Sequence, residues 1–173
     1  IGELADLADA VVDHAAPFAQ AGQAALGEHP SAELTGRFGE RHLEAALASY
    51  GKHLGIAFQL VDDALDYRGD TEELGKNVGD DLAEGKPTLP LIHALKSSAP
   101  SDAAMIRSVI SQGGTEDQAR VRQVVENTGG LDYTARLAEN EASRAIEVLA
   151  EIPASAFRDG LAALAQYAVS RSA

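Results

Sequence analysis

Apolar residues along the 173-residue chain recur at three- and four-residue intervals, and no stretch sustains the alternation of a strand. Leu4, Leu7, Ala8 and Val11 make one such stripe, which Pro17 interrupts. GEHPSAELTGRFG (27–39) reads as a loop or a short broken helix. From about Glu40 to Tyr67 the spacing predicts one long helix, with Leu54, Phe58, Val61 and Leu65 on its apolar face. GDTEELGKNVGDDLAEGKPT (69–88) is punctuated by glycine and reads as a loop with one helical turn. Pro87 then opens a helix carrying Leu89, Leu91, Ile92 and Leu95. SSAPSD (97–102) ends that helix and caps another short one. Thr115 with Gln118 resembles a capping box for the next, which the glycines at 129 and 130 close. Leu131, Ala135, Ala138, Ala142, Ile146 and Leu149 step along one face of a long helix. Pro153 starts the last, with Phe157, Leu161 and Leu164 turned inward. With no repeat and no dividing linker, the pattern predicts a single all-α domain over residues 1–173.

Composition narrows the function. A hydrophobic share of 45% supports a packed core. The absence of cysteine excludes disulfides and thiolate metal sites and fits a reducing compartment such as the cytoplasm. No apolar run approaches the roughly 20 residues that span a bilayer, and no signal-peptide pattern is visible. The chain begins at Ile1, which suggests a processed product or a fragment. A net charge of −13 argues against nucleic acid, which needs a basic face. Over half of that charge falls between Val61 and Gly85, where nine acids stand against Arg68 and Lys76. An acidic cluster flanked by lysines suits a divalent cation bridging to an anionic substrate, and equally a solvated acidic loop.

Spacing sharpens the first reading. On a helix Gln59, Asp62, Asp63 and Asp66 share a face, and the three carboxylates stand at i, i+3 and i, i+4. Like charges so placed destabilise a helix by a few tenths of a kcal/mol per pair, and a hard cation relieves that repulsion. An EF-hand is excluded, because Tyr67 stands where that loop needs glycine. Downstream, Lys76 in LGKNVGDD and Lys86 in EGKPT each sit beside a glycine that lets backbone approach a ligand. Ammonium groups near a metal-binding acid cluster suit a diphosphate held between Mg²⁺ and lysine. Asp81 would hold a metal-bound water or orient a lysine, and the sequence leaves open whether Tyr67 and Arg68 border the site. His42, His53 and His93 lack partners at ligand spacing and read as surface or packing residues.

FQLVDDALDY (58–67) followed by GKNVGDDLAEGKPTLPLIHAL (75–95) resembles the second aspartate-rich region of trans-isoprenyl diphosphate synthases. The resemblance continues through GGLDYTARLAENEASRAI and IPASAFRDGLAALAQYAVSRSA, covering roughly residues 45–173, and EGKPTLPLIHAL looks most like the long-chain members that make quinone side chains. It implies a bundle of mostly antiparallel helices around a central cavity, usually as a homodimer. It implies that Asp62, Asp63 and Asp66 bind Mg²⁺, and that Phe58, Gln59, Lys76 and Lys86 meet the substrate. Asp62, Asp63 and Lys76 would carry the catalytic load. The implied reaction ionises an allylic diphosphate, whose cation is attacked by isopentenyl diphosphate to give a trans-polyprenyl diphosphate. The lipophilic product would allow peripheral membrane association of a cytoplasmic protein.

Two elements of that family pattern are missing. No DDxxD precedes Phe58, so the N-terminal helices that carry the first such motif are not in this sequence, and DLADAVVD (6–13) lacks the spacing. DHAAPF (13–18) stands where a Lys-Thr pair is expected, and neither Asp13 nor a largely neutral His14 replaces a lysine. The segment HPSAELTGRFGERHLE is also longer than the usual connection. The chain alone is therefore expected to be inactive or nearly so, and a non-catalytic regulatory subunit or truncated remnant is the competing reading. A cyclase on the same fold rarely keeps both GKNVGDD and EGKPT.

Overall fold

A computed structural model of the chain describes residues 40–68, 80–112 and 117–170, and every regular element among them is a helix. In order these are α1 (Glu40–Arg68), α2 (Asp80–Ala83), α3 (Leu89–Ser97), α4 (Pro100–Gln112), α5 (Gln118–Asn127), α6 (Gly130–Leu149) and α7 (Ala156–Ser170). The expectations for the first 39 residues and for Thr115 lie outside the described residues. The predicted 40–67 helix is present as α1, and the single turn expected between 69 and 88 is α2. α3 begins at Leu89, with Pro90 rather than Pro87 in its first turn, and α4 runs 13 residues where a short helix was expected. Among the described residues no helix is long and apolar enough to cross a membrane.

The described residues fall into two compact units, one formed by 60–137 and the other by 40–59 with 138–170. In the first, α3 packs on α4 and α5, while α4 also meets α2 and α5. Leu82, Leu91, Ile106, Val121 and Val125 are fully buried there. Two glycines shape the turns between these helices. Gly129 closes α5 with φ +72°. Gly85 closes α2 with φ +70°, the Lys86 N–H bonding the Asp81 carbonyl at 2.9 Å and the Gly85 N–H bonding the Leu82 carbonyl at 3.1 Å. A Cβ on Gly85 would lie 2.7 Å from the Ile110 carbonyl oxygen of α4, whereas one on Gly129 would meet nothing within 4 Å.

In the second unit, Leu43, Ala46 and Tyr50 of α1 pack with Ala145, Leu149 and Ala165. The Tyr50 hydroxyl donates to the Leu161 carbonyl at 2.8 Å. His53 Nδ1 meets Glu141 at 2.7 Å, and Arg144 holds the other oxygen of that carboxylate at 2.8 Å. In the first unit His93 stacks on Tyr133, and its Nε2 lies 3.1 Å from the Thr128 carbonyl. His53 and His93 thus pack, while His42 pairs with Glu151 at the surface.

The last helix corrects the sequence reading. α7 starts at Ala156 rather than Pro153, and the Ser155 hydroxyl accepts the Arg158 N–H at 3.2 Å as a cap. Phe157 and Leu164 do not turn inward, being 63% and 49% exposed, with Tyr167 exposed beside them. Ala165 and Ala168 form the buried face instead, because small side chains let the helix approach its neighbours more closely.

Gly85→Ala should destabilise the chain more than Gly129→Ala in urea unfolding. The left-handed backbone costs an L-residue about 1–2 kcal/mol at either site, and only the first adds a clash with backbone. Burial also pushes the Tyr50 phenol up to about 12. The folded state therefore holds this proton more tightly than the unfolded chain does. Its contribution is complete below about pH 10 and is lost as pH rises toward the folded value. Tyr50→Phe should shrink the fall in stability between pH 9 and pH 11.

Candidate functional site

The last turns of α1 carry Asp62, Asp63 and Asp66. Ala57, Leu60, Val61, Ala64 and Tyr67 form the buried side of this stretch, each at 5% exposure or less. That side is rotated by roughly a quarter turn from the Leu54–Phe58–Val61–Leu65 face expected from sequence. Phe58 is left 36% exposed and Leu65 half-buried, since alanine at 57 and 64 lets the helix seat on its small-residue side. The rotation brings Asp63 to the margin of the buried arc, where it is only 4% exposed. Asp62, Asp66 and Gln59 are half-buried.

A second segment supplies the opposite charge. Lys86 follows the Gly85 turn, and the Thr88 N–H bonds the Lys86 carbonyl at 2.9 Å in a tight turn centred on Pro87. The Lys86 ammonium donates to Asp81 Oδ1 at 3.0 Å. Partial burial acts to lower the lysine pKa, but the hydrogen bond and charge of Asp81, with the charges of Asp63 and Asp62, outweigh it and raise the value. The side chain is thus a full cation at neutral pH. Of the two roles expected for Asp81, the structure shows the orientation of a lysine.

Lys86 is therefore within electrostatic reach of Asp81, Asp63 and Asp62. Lys76 lies outside the described residues. Gly85 allows close approach to the Ile110 carbonyl. Among the described residues no three His, Cys, Asp or Glu side chains enclose a cation. The donors that are present are hard carboxylate oxygens, the type that Mg²⁺ takes when one or two carboxylates are completed by phosphate and water.

One contact was not anticipated. The Tyr67 hydroxyl and Thr88 Oγ1 share a hydrogen bond of 2.9 Å, with both residues at 3% exposure or less. It joins the aspartate helix to the lysine turn. Sequence carries at most half of that signal: a phenol, if buried, needs a partner for its hydroxyl, but the partner depends on how the two segments meet. Arg68 contacts Asp132 at 3.4 Å in an exposed pair of little weight.

The family model for polyprenyl synthetase matches residues 26–128. Octaprenyl diphosphate synthase of Escherichia coli (strain K12) is 50% identical over 129 residues, which are 74% of this chain and 40% of the relative. The polyprenyl synthase of Caulobacter crescentus CB15, solved with calcium and isoprenyl diphosphate, superposes with a TM-score of 0.71 at 47% identity, over 78% of this chain and 42% of that one. A geranylgeranyl pyrophosphate synthase from Corynebacterium glutamicum, solved with isoprenyl diphosphate and magnesium, gives 0.68 at 31% identity, over 77% and 39%. The chain thus spans about 40% of the length of the octaprenyl synthase it matches. The all-helical fold is the one these solved structures share.

Asp81→Asn keeps an acceptor oxygen but removes the nearest negative charge from Lys86. The lysine pKa should fall, since burial then works with less opposition. Faster acylation of Lys86 at pH 8–9, read by peptide mass mapping, is the expected result.

Proposed function

Since the chain belongs to the polyprenyl synthetase family, we propose that it forms a diphosphate-gripping part of a trans-prenyltransferase. The reaction would join isopentenyl diphosphate to an allylic diphosphate and build a long prenyl chain of the type used for quinone side chains. One observation carries this reading: the Lys86 ammonium stands beside Asp81 and within electrostatic reach of Asp62 and Asp63. Carboxylates attract a cation and the ammonium attracts phosphate oxygens, so the cluster suits a cation–diphosphate pair better than either ion alone.

Asp62, Asp63 and Asp66 would hold Mg²⁺, as their hard oxygens and helical spacing allow. Bound there, the ion would stabilise the charge that develops on the departing diphosphate. Lys86 would donate to the same oxygens, with Lys76 as a second cation from the preceding segment. When the allylic C–O bond breaks, its electron pair leaves with the diphosphate. The isopentenyl double bond then attacks the allylic cation, and loss of a proton restores an alkene. Phe58 and Gln59, on the turn before the aspartates, would line the approach of the substrate. A cytoplasmic homodimer, meeting membranes through its lipophilic product, completes the proposal.

Isothermal titration calorimetry of the 173-residue chain with farnesyl thiodiphosphate tests it. Binding should require Mg²⁺ and weaken at least about tenfold in Asp62→Ala and Asp63→Ala, the loss expected from removing a charged contact. Affinity unchanged by EDTA would overturn the metal role.

A further inference from the structure

Thr88 occupies the position before α3 where a threonine ordinarily caps a helix, yet its side chain makes no capping bond. The hydroxyl is instead engaged by Tyr67 at 2.9 Å, in a contact from which both residues exclude water. A cap has been forgone for a tertiary bond, and such a breach of a local rule marks a site under another constraint.

The connections on either side show what that constraint is. On one side Tyr67 follows Asp66 directly and lies one helical turn beyond Asp63. On the other, Thr88 is tied to Lys86 by the turn at Pro87, and Lys86 is tied back to Asp81 through both backbone and side chain. A chain of helix turns and hydrogen bonds thus runs from aspartate to lysine, and the bond between Tyr67 and Thr88 carries it from α1 to the lysine turn. Burial, foremost, and the charges of Asp66, Asp63 and Asp81 raise the phenol pKa despite the hydrogen bond to Thr88, so the hydroxyl stays protonated at any working pH.

We propose that Tyr67 is a positioning residue that acts through the Thr88 hydroxyl to fix the distance between the Lys86 ammonium and the Asp62–Asp63 carboxylates. This rests on the reading of that cluster as a diphosphate grip. Without the bond, helix and turn would each fold, but the two charges would no longer be gauged to one ligand. The geometry demands a hydroxyl at each end and tolerates no apolar substitute.

The test is Mg²⁺-dependent binding of farnesyl thiodiphosphate to the 173-residue chain, measured alongside thermal unfolding and far-ultraviolet circular dichroism. Tyr67→Phe and Thr88→Val should each weaken binding about tenfold, and the double variant should bind no worse than either alone, as expected for two ends of one interaction. Thr88→Ser, which keeps the hydroxyl, should retain the parent affinity. If Tyr67→Phe does not fold, the valine and serine variants at Thr88 decide the matter alone. Variants that unfold at lower temperature but bind as tightly as the parent would overturn the proposal, as would losses that multiply in the double variant. If the parent chain itself does not bind the probe, the diphosphate reading fails first and this inference with it.

Discussion

A carboxylate that keeps only 4% of its surface in water, as Asp63 does, costs several kcal/mol unless donors or opposite charge stand near it. The surrounding chain is arranged around that requirement. Small residues on α1 turn Asp63 toward the interior, and the lysine turn brings an ammonium into electrostatic reach. Asp81 holds the ammonium in place, and Gly85 allows the turn that carries it to sit against α4. Each arrangement would be a local liability by itself: a buried acid, a partly buried lysine, a left-handed backbone. Together the acid and the lysine offset one another's charge, and the proposed function would place a cation on the remaining carboxylates.

Much of this was legible in the sequence, for identifiable reasons. Helical periodicity gave α1 and α6 nearly to the residue, because their apolar positions repeat over many turns and average out local exceptions. The aspartates stood out because charge embedded in apolar sequence needs a partner, and Lys86 because it follows a glycine downstream of that acid cluster. Periodicity misjudged which side of α1 and α7 faces inward. In both helices, large residues such as Phe58, Phe157 and Leu164 dominate the pattern, while alanines at 57, 64, 165 and 168 set the packing. A small side chain contributes little to a hydrophobicity pattern but permits the closest approach, so the two criteria diverge wherever helices pack tightly. Tertiary hydrogen bonds such as Tyr67 to Thr88 depend on how separate segments meet, which no local window contains.

The family relation adds context to the same residues. Relatives solved with isoprenyl diphosphate and a divalent cation share this all-helical fold, and the sequence match spans the aspartate helix and the lysine turn alike. Those two segments carry the opposed charges on which the proposed chemistry depends.

The turn on either side of Lys86 has a consequence for timing. Hydrogen bonds at Gly85 and across Pro87 fix the lysine backbone, so its conformational freedom resides almost wholly in the side-chain torsions. An anion captured there restricts those torsions and little else, which keeps the entropy lost on binding small. Release is equally simple. Rotation about a few single bonds takes picoseconds to nanoseconds, whereas a mobile loop must swing aside over far longer times. Under the proposed function, a cleaved diphosphate held by Lys86 would leave by breaking its ionic contacts with that side chain, with no movement of the lysine backbone.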